Sequence, residues 1–274
     1  MRQSSSTLAF HKMHGLGNDF VIVDARQHSV AMSGKLVRAL ANRRTGIGCD
    51  QLILLKPSQS ADFAMRIFNA DGSEVEACGN AARCVTQLAG HEARIATTGG
   101  TISGTPGDTG ATLDMGEPRF DWNEIPLAYA MDTANMPVGW EELIDPVAVN
   151  IGNPHVIFFV DNVADVDLER LGPIIENDPL FPERINVNVA TVEGDGSITL
   201  RVWERGAGLT RACGTGACAT TVAAVRRKLV RGGETTVHLP GGDLAIQEAV
   251  RALKKLDVRP REKDTHPIAE PWRP

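Results

Sequence analysis

Two segments of the chain are versions of one another, so any fold proposed for it has to build the same unit twice. They are MRIFNADGSEVEACGN, ending at Asn80, and LRVWERGAGLTRACGT, ending at Thr215, and they align without a gap at an offset of 135 residues. Each opens on an apolar–Arg–β-branched–aromatic run of strand composition, passes through a polar, Gly-rich stretch and closes on Ala-Cys-Gly. An Ala-rich run follows each, AARCVTQLA or ACATTVAAV. Helices so poor in charge, with small residues on most faces, belong inside a fold. The pattern predicts two strand–loop–helix units, each with a cysteine at the start of a buried helix.

The flanking sequence fits the same plan. Residues 8–24 read as strand, Gly-rich turn and strand, and residues 33–43 as a helix with Ser33 as N-cap. Strands are predicted in TGIGCDQLILLKP, DFAMRIFNADG, RIATTGGTISG and ATLDMGEPRF. A Pro-, Asp- and Asn-rich stretch from Glu117 to Pro137 has the composition of a crossing between halves. Beyond it, VAVNIGNPHVIFFVD pairs two strands around a turn, and DLERLGPIIENDPLF reads as a short helix and loop. INVNVATVEGDGSITLRVWE and TTVHLPGGDLAIQ read as hairpins around Gly-Asp-Gly and Pro-Gly-Gly. The expected division is residues 1–120 with Cys78, residues 121–260 with Cys213, and a tail of residues 261–274.

The bulk properties exclude several classes. A chain of 274 residues with 42% hydrophobic content builds a packed core. A net charge of −6 opposes nonspecific binding to nucleic acid or to an anionic membrane. The longest apolar runs, VIFFV and LILL, are far too short to span a bilayer, and MRQSSSTLAF lacks the apolar segment of a secretory signal. The default expectation is a cytoplasmic location. Five cysteines, an odd number, do not suggest a disulfide framework. The spacings Cys78/Cys84 and Cys213/Cys218 are not those of zinc hooks, so no metal is expected.

A free cysteine is ordinarily a small buried hydrophobe, the reading adopted for Cys49, Cys84 and Cys218. For Cys78 and Cys213 the duplication argues otherwise. The first N–H groups of a helix lack intrahelical acceptors and its dipole is positive there. A thiol at that position is expected to ionise below its usual pKa of about 8.5. The same N–H groups can hold a carboxylate, and Gly79 and Gly214 let the backbone approach. Two such thiols on opposite sides of a cleft can take a proton from one face of a carbon and return one to the other.

At these residues the chain resembles the diaminopimelate epimerases. The resemblance covers roughly residues 8–247 and rests on MHGLGNDFVIVD, GIGCDQLILL, FNADGSEVEACGNAARC, GNPHVIFFVD, INVNVA, ERGAGLTRACGTGACA and LPGGDL, in that order. It implies a mixed α/β (α+β) fold of two pseudo-symmetric domains, each a curved, mostly antiparallel sheet or barrel around a central helix. It implies cofactor-independent isomerase chemistry, the interconversion of L,L- and meso-2,6-diaminopimelate, in lysine and peptidoglycan-precursor biosynthesis. Cys78 and Cys213 would be the thiolate/thiol pair. Asn18, Gln51, Asn69, Asn153, Asn186, Glu204 and Arg205 would touch the substrate. The backbones of Gly79, Asn80, Gly214 and Thr215 would hold the carboxylate at the reacting centre, with His155 beside the cysteines.

The residue types agree with those roles. Arg205 can fork two hydrogen bonds to a distal carboxylate, and the asparagines can read carboxylate and ammonium together. Glu204 and His155 can receive an ammonium group or tune a thiol. The partner implied is the small-molecule substrate, and a homodimer is an assembly compatible with such a chain. Two other readings are another amino-acid racemase of the same fold and an inactive relative serving as a binding module. One departure stands out. The family closes with a strand pair after LPGGDL, whereas QEAVRALKKLD reads here as a short charged helix before a Pro-rich end.

Overall fold

The computed structural model describes residues 8–108, 110–249 and 252–257. The first half runs β1 (His11–Gly15), β2 (Asn18–Asp24), α1 (Gly34–Ala41), β3 (Gln51–Lys56), β4 (Phe63–Asn69), β5 (Glu74–Val75), α2 (Gly79–Ala89), β6 (Ala93–Thr97), β7 (Gly100–Pro106) and β8 (Ala111–Asp114). The second begins with a small hairpin, β9 (Gly139–Trp140) and β10 (Leu143–Ile144). It continues with β11 (Val147–Asn150), β12 (Pro154–Phe159), α3 (Leu168–Glu176), β13 (Asn186–Val192), β14 (Ile198–Glu204), β15 (Gly208–Thr210), α4 (Gly214–Arg226), β16 (Glu234–Leu239), β17 (Gly242–Ala249) and β18 (Ala252–Asp257).

The duplication is wider than the two cysteine segments. In the first half β1–β2 is antiparallel, β2–β3 parallel, β3–β4 antiparallel, β4–β6 parallel, and β6–β7–β8 antiparallel. The second half repeats this strand for strand, with β11–β12, β12–β13, β13–β14, β14–β16 and β16–β17–β18 in the same senses. The two curled sheets are joined where β18 pairs antiparallel with β8, Leu256 opposite Leu113 and Asp257 opposite Thr112. Mixed α/β architecture with two curled sheets and few helices is thus the fold.

Each sheet has an inner helix and an outer one. α2 lies against β1, β7 and β8, and α4 against β11, β12, β13 and β17. α1 covers β3 and β4 from outside, and α3 covers β13, β14 and β15. This explains why β2 is an unbroken apolar run rather than an alternating one. Phe20 and Ile22 face the inner core, while Val21 and Val23 join the outer cluster under α1. Ser33 caps α1 as expected, its Oγ accepting from the Leu36 N–H at 3.2 Å.

The predicted helix in QEAVRALKKLD is overturned. β17 continues to Ala249 and β18 follows, so the closing strand pair is present. The register shifts between Gln247 and Glu248, as a β-bulge does. A bulge adds one residue to a strand and breaks its two-residue alternation, which hides the strands among the charged residues. The tail at residues 261–274 lies outside the described residues. Among the described residues no helix is long and apolar enough to cross a membrane.

Candidate active site

Both cysteines sit where the repeat put them. Cys78 is the N-cap of α2 and Cys213 the N-cap of α4, each in extended backbone. Each sulfur accepts from the N–H three residues on, Ala81 at 3.5 Å and Gly216 at 3.3 Å, in the place of the usual Ser or Asp oxygen. The two helix starts meet. A Cβ placed on Gly79 would lie 3.7 Å from the Gly214 Cα, and Asn80 Nδ2 donates to the Ala212 carbonyl at 3.0 Å. At Gly15, a Cβ would press on the Asn80 Cβ at 3.3 Å, which brings the β1–β2 turn close to the same point.

Contrary to the sequence expectation, the thiols are not acidified here. Burial pushes Cys78 up to about 11, against the helix-end N–H of Ala81, and the nearby Glu204 adds to the rise. Burial also raises Cys213 well above the ordinary thiol range, again with Glu204 adding to it and with Thr215 and the Gly216 N–H opposing it. The helix-end effect exists, but desolvation of a thiolate in a dry cleft outweighs it. Glu204 is itself pushed up by burial, opposed by hydrogen bonds from Thr210, whose Oγ1 donates at 2.7 Å, and from Cys213.

Around Cys213 a polar chain runs inward from β13. Asn188 Nδ2 donates to His155 Nδ1 at 3.1 Å, His155 Nε2 donates to Asn153 Oδ1 at 2.9 Å, and Asn153 Nδ2 donates to Thr215 Oγ1 at 3.3 Å. The Thr215 hydroxyl lies 3.3 Å from the Cys213 sulfur. This pattern makes His155 the neutral tautomer protonated on Nε2, and its full burial lowers its pKa to about 3. His155 therefore reaches the thiol through two residues, and neither ring nitrogen is left to receive an ammonium group. Asn188 escaped the sequence reading. Its signal was a polar residue inside the otherwise apolar strand INVNVA, on the inward face shared with Asn186.

The other expected contacts fall into two groups. Asn18, at the start of β2, turns its amide toward Cys78 with Nδ2 4.0 Å from the sulfur. Gln51 Nε2 donates to Asn69 Oδ1 at 3.0 Å, leaving Gln51 Oε1 buried without a partner among the described residues. Asn69 also binds Ser73, so it holds the β4–β5 turn as well. Asn186 accepts from the Arg205 N–H at 2.9 Å and donates to the Pro154 carbonyl. The Arg205 guanidinium is engaged, giving one bond to the Glu183 carbonyl at 3.0 Å and an ion pair with Glu76 at 3.2 Å. Glu76 belongs to the first half, so this pair spans the two halves.

The offset of 135 residues extends to these residues. It matches Asn18 with Asn153, Gln51 with Asn186, Asn69 with Glu204 and Asn80 with Thr215. Among the described residues no cluster of His, Cys, Asp and Glu is arranged to hold a metal ion.

Comparison with known proteins gives a family match. The family described as diaminopimelate epimerase matches residues 10–120 and 147–258, the spans of the two repeats. The diaminopimelate epimerase of Erythrobacter litoralis is 63% identical over 241 residues, covering 88% of this chain and 89% of that protein. That of Rhizorhabdus wittichii is 64% identical, covering 88% of each. Among solved structures, a probable proline racemase from Agrobacterium radiobacter superposes with a TM-score of 0.66 at 15% identity, over 91% of this chain and 88% of that one. A phenazine biosynthesis protein of the PhzF family from Bacillus anthracis gives 0.61 at 16% identity, over 92% and 94%. At such identities these two likenesses speak for the fold alone.

Proposed function

The chain belongs to the diaminopimelate epimerase family, and we propose that it interconverts L,L- and meso-2,6-diaminopimelate with Cys78 and Cys213 as its two bases. The observation that carries this reading is the pair of thiols capping two helices whose first turns are in contact. One cysteine enters as thiolate and takes the Cα proton. The other enters as thiol and delivers a proton to the opposite face, so each ends the turnover in its partner's starting state. The pair titrates as one coupled unit.

An amino-acid Cα–H is a very weak acid, so the base needs help. The planar intermediate puts charge on the carboxylate beside the reacting carbon. The first-turn N–H groups of Gly79, Asn80, Gly214 and Thr215 lack intrahelical acceptors and are suited to hold it. A donor set of this kind is commonly worth about 3–4 kcal/mol. The raised thiol pKa values suit the same task, because a dry thiolate is a stronger base. At the far end Arg205 supplies a guanidinium for the second carboxylate. Gln51 Oε1, buried and without a partner among the described residues, offers an acceptor to an ammonium group.

We take residues 1–120 and 121–260 as two units that close on the substrate, working in the cytoplasm, with a second copy of the chain as partner in a homodimer. The decisive experiment follows hydrogen–deuterium exchange at Cα of L,L-diaminopimelate in D₂O. The intact protein should incorporate deuterium and form the meso isomer, and Cys78→Ala and Cys213→Ala should each lose at least about a thousand-fold in epimerisation. Full activity in either variant would remove the two-base assignment. Exchange with another amino acid but none with diaminopimelate would move the protein to a different substrate.

A further inference from the structure

α2 carries one charged side chain, Arg83, and it is only 4% exposed. Its Nη2 donates to Asn80 Oδ1, while its Nη1 is buried with no acceptor among the described residues. The charged-group neighbours that act on this guanidinium are four thiols, those of Cys84, Cys78, Cys218 and Cys213. A buried cation without an anion is costly, so an arginine here calls for an explanation. The repeat does not require one, since the equivalent position in α4 is Cys218.

Its position supplies the explanation. Nη1 lies 3.7 Å from where a Gly79 Cβ would stand, and that point is itself 3.7 Å from the Gly214 Cα. The free end of the guanidinium therefore sits where the two helix starts meet. Asn80 carries the arrangement across the cleft, accepting from Arg83 and donating to the Ala212 carbonyl one residue before Cys213.

We propose that Arg83 is the resident counter-cation of the thiolate, holding the Cys78/Cys213 pair at one negative charge. The proposal rests on the reading of those cysteines as the acid–base pair. Arg83 acts through the thiols and is in that sense a positioning residue. The groups that face the thiols from the surrounding elements bear this out. Glu204 on β14 can only carry negative charge, which would oppose a thiolate at either cysteine. His155 on β12 is neutral and two residues removed. Asn18 on β2 and Thr215 on α4 offer dipoles only. Arg205, beyond β14, is engaged by Glu76 and the Glu183 carbonyl. Among the described residues Arg83 is a buried cation whose Nη1 has no acceptor, and its charge favours the ionised form of Cys78. An opposite charge at close range favours the ionised form of an acid and lowers its pKa by about one to three units.

The test reads thiol ionisation without turnover. Alkylation of Cys78 and Cys213 by iodoacetamide is followed by mass spectrometry as a function of pH in the intact protein, Arg83→Met and Arg83→Lys. In Arg83→Met the midpoint should rise by at least about one pH unit, a tenfold loss of thiolate at a given pH. Arg83→Lys should stay within about half a unit of the intact protein. A folded Arg83→Met with an unchanged midpoint overturns the proposal. If circular dichroism shows Arg83→Met unfolded, Arg83→Lys decides. A lower melting temperature with the midpoint retained supports charge as the function of the residue, whereas a midpoint displaced by a full unit despite the retained charge refutes it. Failure of deuterium exchange would sink the functional reading and leave this measurement intact.

Discussion

Arg205 is already occupied by a carboxylate before any substrate arrives. Glu76, two residues before Cys78, pairs with it at 3.2 Å, and the Glu76 side chain is 56% exposed. A distal substrate carboxylate has to displace or share that partner. An exposed ion pair is worth about 0.2–1 kcal/mol, so Glu76→Gln should lower KM about 1.5- to 5-fold with kcat within twofold. The gain should shrink as salt rises. Steady-state kinetics at low and high salt checks this, and an unchanged or higher KM contradicts the competition. Cys78 and Cys213 were legible in the sequence because each stands at the same place in a repeat. Glu76, Arg83 and Asn188 were not, because their significance lies in what they face across the fold. A lone arginine in an Ala-rich helix reads as a solvent contact until its burial is seen.

At the level of elements, strand composition and turn residues located the helices and most of the longer strands, since both faces of the inner strands are covered and their apolar runs are long. The short β5, β9, β10 and β15 were missed, and so were the end of β17 and the whole of β18. The β-bulge at Gln247/Glu248 displaced the alternation by which the end of β17 and β18 would have been recognised. Packing between elements was also invisible to the sequence. At Gly104 in β7, an added Cβ would collide with Thr86 Oγ1 of α2 and come within 3.0 Å of Leu113 Cδ2. Gly104 is there to admit the inner helix. Gly104→Ala should cost about 1–3 kcal/mol through overpacking, lowering the thermal midpoint by several degrees. Adding Thr86→Ala should recover part of the loss, because the two side chains compete for one space. Equal melting of Gly104→Ala and the parent would show that the helix can shift freely.

Across the whole molecule, the inner core is continuous. Phe20, Ala81 and Leu113 of the first half belong to one buried cluster with Val149, Leu200 and Ala217 of the second. Several buried thiols make this interior pH-sensitive. Burial raises Cys49 to about 11 and Cys84 and Cys218 to about 12. The unfolded chain gives up those protons from about pH 8.5, so their stabilisation is complete below that pH and is lost as pH climbs through 11 to 12. His155 acts on the other side. With its pKa lowered to about 3 by burial, the unfolded chain binds a proton below about pH 6.5 that the folded one refuses, and stability falls from there downward. Thermal midpoints should therefore be highest between about pH 6.5 and 8.5. A midpoint flat from pH 8 to 11 would count against buried, protonated thiols.

The junction of β8 and β18 has a consequence in time. Synthesis proceeds from the N-terminus, so β8 leaves the ribosome well before β18, with all of the second repeat made in between. Through that interval the first sheet carries an unpaired edge, open to the wrong strand from a neighbouring nascent chain. Its proper partner then contributes a contact of high sequence separation, a slow kind to form. The last of the described strands to be made thus completes the first sheet to be started, and crowded synthesis is where this fold is most exposed to error.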